Sequence, residues 1–313
     1  PYIPTTQGEH SAMNALPFDK PGRFWKGNIH THSTLSDGAL TPEEVCDRYR
    51  EAGYDFISLT DHFLASYGFP VADTRPFRTG DFTTILGAEL HAGTLENGEM
   101  WHILAAGLPL DFARPTENES GSSIAHRAVD AGAFVAIAHP NWYTLTEADA
   151  LSLGDVHAVE IFNGVAVDAN DKSDSWHLMD ILSDRGQRYH AYAADDAHFG
   201  DPFNDFQRGW VYVKSERLEP DSLVAALKAG HFYSSTGPQI HDVKFGPDGI
   251  LAIRCSPVDR IFLTGKGSKS QRFWGNGVTS AKFDLSTFDS PWCRITVRSR
   301  LSGRAWTSPI WLD

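Results

Sequence analysis

The chain has 313 residues, 41% of them hydrophobic, with 9 Trp and 19 Phe, and a formal net charge of −13. That length and apolar content suffice for one large α/β domain with a smaller one beside it, and they exclude a disordered chain. The acidity excludes a basic nucleic-acid footprint and suits a site that collects cations.

Cys46, Cys255 and Cys293 lie far apart and form no CxxC pair. Neither a disulfide framework nor a thiolate metal site is expected. No apolar run approaches the roughly 20 residues that span a bilayer, so no membrane partner is expected. The N-terminal PYIPTTQGEHSAMNALPFDK lacks the layout of a signal peptide, which favours the cytoplasm. It begins with Pro rather than Met, so trimming leaves export open. The oligomeric state is not legible.

Residues 1–22, rich in Pro, Gly and polar residues, read as an extended lead-in. FWKGNIHTH reads as a strand. TPEEVCDRYREAG is a helix, with a Thr41/Glu44 capping box, Pro42 at its first position and Gly53 at its end. DFISLTDH, TTILGAELH and WHILAAGL are strands. SSIAHRAVDAG is a helix, AFVAIAHP a buried strand, DVHAVEIFN a strand and SDSWHLMDILSDRG a helix. RYHAYAADDAH and GWVYV are strands, and EPDSLVAALKAG is a helix. This alternation implies βα units and a largely parallel sheet, open or closed into a barrel.

The pattern changes near Thr236-Gly237-Pro238. From residue 239 on, IHDVKF, ILAIRCS, RIFLTGK, VTSAKFDL, CRITVRS and AWTSPIWL read as short strands of a small antiparallel, sandwich-like domain. Its aromatic residues Phe262, Trp274, Trp292, Trp306 and Trp311 are expected in its core or against the barrel. The expected divisions are a lead-in at 1–22, a barrel at 23–238 and a β domain at 239–313.

Potential ligands recur at the strand ends. IHTHSTLSDG brings His30, His32 and Asp37 together, and residues i and i+2 of a strand share a face. Asp61-His62 follow the second strand, and Glu89 and His91 end the third. His102 opens the next, then come His139 in AHP, Glu160 in VEIFN, and Asp196 and His198 in DDAH. In parallel α/β folds such ends face one crevice, where imidazoles and carboxylates can share a divalent ion.

HTHSTLSDG, TDH, GAE, AHP and DDAH, in that order over about residues 24–238, resemble the polymerase-and-histidinol-phosphatase (PHP) superfamily. WKGNIHTHSTLSDG, WHILAAG, YSSTG and the tail ending in AWTSPIWL are similar to its carbaryl hydrolase-like metallohydrolase branch. The resemblance implies a distorted seven-stranded β/α barrel that binds two or three divalent ions (Mn²⁺, Zn²⁺ or Fe²⁺) and hydrolyses small phosphate mono- or diesters. It implies one ion at His30, His32, Glu89 and Asp196. A second is implied at Glu89, His102 and His139, and a third at Asp37, His62 and His198. Some members carry His where this chain has Asp37, and a carboxylate there favours Mn²⁺ or Fe²⁺. The implied nucleophile is a metal-bridging hydroxide. Glu89 would bridge, while Asp37 and His198 would hold the ion at the leaving oxygen.

Arg208 is the candidate phosphate-binding cation, or else a surface ion pair. Asn163 and Glu160 are candidate substrate contacts, or buried groups bonded to backbone. His91 shares a strand face with Glu89 and is either a substrate contact or a surface histidine. Asp61 reads as a supporting or turn residue. Tyr143 and Tyr233 could line the pocket. Phe63, Tyr67, Phe69 and Phe77 hint at a partly apolar leaving group. Two other functions compete: carbamate or carboxylic ester hydrolysis at the same site, and a non-catalytic PHP scaffold, against which the nine filled ligand positions argue.

Overall fold

The computed structural model describes residues 16–246 and 248–312. Most of the lead-in expected at 1–22 lies outside the described residues; a 3-10 turn at Pro17–Asp19 precedes strand β1 (Arg23–Asn28). Strands β2 (Phe56–Leu59), β3 (His62–Phe63), β4 (Thr83–Leu90), β5 (Ile103–Ala106), β6 (Phe134–Ile137), β7 (Ala158–Asn163), β8 (His190–Ala194), β9 (Trp210–Ser215) and β10 (Phe232–Ser235) follow. The helices among them are α1 (Pro42–Glu51), α2 (Gly121–Asp130), α3 (Glu147–Ser152), α4 (Ala166–Ala169), α5 (Trp176–Asp184) and α6 (Pro220–Lys228). No helix among the described residues is long and apolar enough to cross a membrane.

Local chemistry sets the elements. Thr41 Oγ1 accepts from the Glu44 N–H at 3.3 Å, and the Glu44 carboxylate accepts from the Thr41 N–H at 2.8 Å, closing the capping box of α1. Val45, Cys46 and Tyr49 of this helix are buried with Ile57 and Leu59 of β2. Period-two alternation divides these strands. Leu104, Phe134, Ala136, Tyr192 and Ala194 join Ile29, Phe56 and Ile85 in one core; Ile103, Val135, Ile137 and Ala191 face another with α2 and α5. Gly27 of β1 lets the Phe56 ring lie against the backbone, where any Cβ would overlap it.

The sheet is mixed, where the alternation predicts a largely parallel one. β1, β2 and β4 are parallel, as are β6, β7 and β8, but β5 runs antiparallel to both β4 and β6, and β9 antiparallel to β1 and β10. No helix separates β4 from β5, so the chain simply turns back. One sixteen-stranded sheet takes in all the strands among the described residues, and no ladder marks off seven of them as a barrel.

β8 ends the sheet path, and side chains satisfy its free edge. Ser308 Oγ accepts from the Ala191 N–H at 3.0 Å, and Ser234 Oγ accepts from Ala193 N–H and donates to Ala191 O, each at 3.0 Å. Asn28 Oδ1 accepts from the Asp195 N–H at 3.1 Å. Backbone bonds then take over: Asp196 N–H to His30 O and His32 N–H to Ala197 O, both 2.9 Å. This seam joins the two His/Asp segments, because buried backbone groups must find partners.

The tail is antiparallel throughout: β11 (Ile240–Phe245), β12 (Ile250–Gly265), β13 (Ser270–Asp284), β14 (Trp292–Arg298), β15 (Arg304–Thr307) and β16 (Ile310–Trp311). ILAIRCS and RIFLTGK, predicted as two strands, form the single strand β12. Pro257 sits where its register with β13 shifts, so the missing N–H breaks no regular ladder. β15 pairs with β10 and joins the tail to the rest of the sheet. Trp306 packs on Phe162 and Trp176, with ring centroids 6.1 and 6.4 Å away. Trp292 donates to Asp184 at 3.1 Å, and Arg294 forms two 2.8 Å bonds to Asp180 of α5. Trp274, expected in the core, is 64% exposed because β13 has no strand on its outer side.

Candidate metal centre

His30 and His32 leave β1 in extended backbone and are both fully buried. Their Nε2 atoms converge on Asp196 Oδ1, at 3.2 and 2.9 Å. Glu89, near the end of β4, lies at the middle. Its Oε1 is 2.8 Å from His102 Nδ1 and 3.0 Å from His139 Nε2; its Oε2 is 2.7 Å from His62 Nδ1. His30 and His32 approach the same carboxylate at 3.7 and 3.6 Å. Asp37 faces His62 Nε2 at 3.3 Å and His198 Nε2 at 3.5 Å.

All nine implied ligand residues thus come together, in groups whose donor atoms lie within 4.8 Å of one another: His30, His32 and Asp196; His30, Glu89 and His139; His62, Glu89, His91 and His102; and His32, Asp37, His62 and His198. The groups overlap more than the implied ones: His32 also joins Asp37, His62 and His198, and His62 and His91 join Glu89 and His102, while His102 and His139 both approach Glu89 Oε1, with ring centroids 5.0 Å apart.

Buried partners aim these rings. Glu160 Oε1 lies 3.2 Å from His30 Nδ1, which leaves His30 Nε2 facing the cluster. Glu160 Oε2 accepts from the His139 N–H at 2.7 Å. His198 Nδ1 meets the Asp196 carbonyl at 2.8 Å, and His91 Nδ1 meets the Trp101 carbonyl at 3.0 Å. A carbonyl only accepts, so both Nδ1 atoms carry a proton, and in the neutral ring the lone pair is on Nε2, facing the cluster. Asp61 accepts from Ser33 N–H at 2.7 Å, Ser33 Oγ at 2.8 Å and Ser36 Oγ at 2.8 Å, which fixes the turn leading to Asp37. His139 and Asp196 adopt positive φ, 22° and 53°, a costly backbone conformation for such residues.

Electrostatics couples the groups. Burial raises the Glu89 pKa, but the charges of His102 and His62 and the hydrogen bonds from His102 and His139 outweigh it and hold the carboxyl well below its usual range. Burial lowers His62, yet Glu89 and Asp37 bring it up to about 10. His198 is likewise raised to about 9, by Asp37 and Asp196 against burial. Burial, then the charges of His198 and His62, lower His32 to about 4.

The donor set suits a divalent ion. Among the described residues, buried side-chain atoms with no hydrogen-bond partner include His30 Nε2, His32 Nε2, Glu89 Oε2 and Asp196 Oδ1. Leaving buried polar atoms unpaired is costly, and these four face one another across the cluster. Imidazole nitrogens and carboxylate oxygens together fit Zn²⁺, Mn²⁺ or Fe²⁺. The cluster opens into a cleft of about 610 Å³ walled by Trp142, Tyr143 and Phe203.

Three expectations for substrate contacts change. Arg208 lines a separate groove with Asp174, Thr236 and Arg304. The cause is Asp195, whose buried carboxylate accepts from the backbone N–H groups of Gln207, Arg208 and Gly209 at 3.0, 2.6 and 2.8 Å and so fixes that turn. Asn163 is buried and already engaged: its amide donates to Asp196 at 3.0 Å and Glu160 at 3.3 Å, and its oxygen accepts from Ala166 N–H. His91 is buried among the ligand-type groups, 2.9 Å from His62 Nδ1, and is not a surface histidine.

Tyr143 does line the cleft, whereas Tyr233 is buried against Phe18, Phe24 and Tyr212. Phe63, Phe69 and Phe77 pack into cores, and Tyr67 alone of that group stacks on a cluster ring, His62. Glu160 is a buried carboxylate bonded to backbone, the second of its two expected readings, through the His139 N–H; its contact with His30 and the role of Asp195 go beyond the sequence analysis. The available signal was a carboxylate inside an apolar strand, since an acid is rarely buried without a partner.

No family model matches the chain, and no curated protein does. Solved structures do match. A putative metal-dependent phosphoesterase from Bifidobacterium adolescentis aligns with 57% of this chain and 90% of its own, at 14% identity and a TM-score of 0.42. An amidohydrolase from Chromobacterium violaceum aligns with 55% of this chain and 87% of its own, at 18% identity and a TM-score of 0.40. A two-domain protein from Bacteroides vulgatus, described as containing a predicted PHP-like metal-dependent phosphoesterase, covers 93% of this chain and 98% of its own, at 15% identity and a TM-score of 0.52. Over nearly its whole length, tail included, the chain is similar in fold to that two-domain PHP-like protein.

Proposed function

We propose that the chain is a metal-dependent hydrolase of small phosphate mono- or diesters, built on a PHP-type barrel with a C-terminal β domain. The observation that carries this reading is the sharing of Glu89 between clusters of ligand-type groups, with unpaired donor atoms turned toward one another. In this reading His30, His32, Asp37, His62, Glu89, His102, His139, Asp196 and His198 hold two or three divalent ions, and His91 is a further ligand or supports His62. When bound, such ions supply Lewis acidity: they activate water and offset charge building on phosphoryl oxygens. Glu89 fixes the spacing of the groups on either side of it. Glu160 and Asn163 hold His30 and Asp196 in place, and Asp61 holds the turn bearing Asp37.

The test adds Mn²⁺, Zn²⁺ or Fe²⁺ to metal-stripped protein and screens phosphate and carboxyl esters. Metal-dependent release of phosphate or a phosphomonoester supports the reading. Release of a carboxylic or carbamic acid instead supports the second reading, an ester or carbamate hydrolase as in the carbaryl hydrolase-like branch. One observation favours that second reading: among the described residues lining the cleft there is no Lys or Arg.

Two further outcomes follow. Arg208→Ala should leave kcat/KM within about twofold of the parent, as surface substitutions away from a site usually do. A drop of tenfold or more would place its guanidinium on the substrate. The second concerns protons. Raised to about 10 and about 9, His62 and His198 carry protons at neutral pH in the metal-free chain. Ion binding must displace them, so affinity should rise with pH through the neutral range and loading should release at least these two protons. Isothermal titration in buffers of different ionisation enthalpy counts them; binding without proton release contradicts ligation by this pair.

A further inference from the structure

The cleft wall facing the histidines is made of rings and small apolar groups. Tyr143 lies over His102 and His139, with ring centroids 4.5 and 5.5 Å away, and Trp142 lies 5.8 Å from His139. Val165, Ala169 and Phe203 continue this wall. Cations near it are turned elsewhere. Lys172 donates to Trp142 O at 3.3 Å and Thr144 Oγ1 at 3.2 Å, and Arg208 lines another groove. Asp201 adds negative charge at the mouth.

Charge and shape then select together. A phosphate monoester above neutral pH is a dianion, and proteins commonly hold such groups with an arginine fork. Here the carboxylates of Asp37, Glu89, Glu160, Asp196 and Asp201 carry five negative charges against the four or six positive charges of two or three divalent ions, so at most one positive charge is left over. A second negative charge on the substrate gains little, whereas a flat apolar group gains a stacking surface.

We propose that the cleft takes monoanionic phosphodiesters with an aromatic leaving group, stacked on Trp142 and Tyr143, in preference to dianionic monoesters. This rests on the phosphoesterase reading above. The products are a phenol and a phosphomonoester: the oxygen of water joins phosphorus, and the aryl oxygen departs with the electron pair of the broken P–O bond and takes up a proton.

Two measurements on the metal-loaded protein test it. In kinetics, methyl 4-nitrophenyl phosphate and 4-nitrophenyl phosphate share a leaving group and differ in charge; the diester should be favoured about tenfold in kcat/KM. In calorimetry, three non-hydrolysable ligands separate ring from charge. Methylphenylphosphinate should bind about tenfold tighter than phenylphosphonate, its dianionic counterpart. It should also bind about fivefold tighter than dimethylphosphinate, which lacks the ring. Trp142→Ala should erase the ring preference at unchanged metal content, and Trp142→Tyr, which keeps a ring, should restore most of it. Equal or tighter binding of phenylphosphonate, preference for the monoester, or a silent Trp142→Ala overturns the selection while leaving the phosphoesterase reading standing. Turnover of carboxyl or carbamate esters with no phosphate ester turned over overturns both.

Discussion

Glu89→Gln should cut kcat/KM by at least about a hundredfold and lower the bound metal by at least one ion per chain, while circular dichroism stays close to the parent. The substitution keeps the shape of a side chain that is fully buried. It removes the one charge within 4 Å of His30, His32, His62, His91, His102 and His139 at once. Without it, two cations held on either side would repel each other across an uncharged amide, and one ligand oxygen would become an NH₂ donor that cannot ligate. Near-normal turnover by the variant would mean that the chemistry does not depend on a shared carboxylate, and the hydrolytic mechanism proposed here would have to be abandoned.

Glu160→Gln should act from one layer further out. Both carboxylate oxygens accept: Oε1 from His30 Nδ1, and Oε2 from the His139 N–H and the Asn163 amide. A glutamine must turn an NH₂ donor toward one of these donors, so at least one buried bond is lost whichever way it flips. The cost to stability is about 1–3 kcal/mol. Loss of the negative charge also makes His30 a weaker base and frees its ring to turn, which typically costs about 10–100-fold in metal affinity. Competition with a fluorescent chelator reads the affinity, and thermal melting of the metal-free protein reads the stability separately. Unchanged affinity together with lowered stability would confine Glu160 to packing.

Local sequence signals specify much of the helix capping and of the ligand placement. Thr41, Pro42 and Glu44 announce a helix start within four residues of sequence, and the cap forms as they indicate. His30 and His32 lie two apart, so strand geometry alone directs both rings one way, and both reach Asp196. Ligand-type residues at successive strand ends are legible because strand ends gather at one edge of an α/β fold.

What escaped depends on long-range partners. The antiparallel course of β5 is set by which strands flank it, not by its own apolar run Ile103–Ala106. The seam at β8 relies on Ser234, Ser308 and Asn28, single polar side chains that carry no local pattern. The short helices α3 and α4 lie outside the elements expected from the sequence, although Thr146 and Asp149 form a capping box with Asp in the place where Glu or Gln is usual. Arg208 looked free to reach the site because nothing nearby in the sequence reveals that Asp195 fixes its turn.

The most direct test of the central claim is anomalous diffraction from crystals of metal-stripped protein soaked in Mn²⁺. The account predicts at least two strong peaks beside Glu89, about 3.5–4 Å apart, with His30, His32 and Asp196 around one of them. No peak within reach of Glu89, or peaks only on the acidic surface, would contradict it: the cluster would then be a buried network of histidines and carboxylates and not a metal centre.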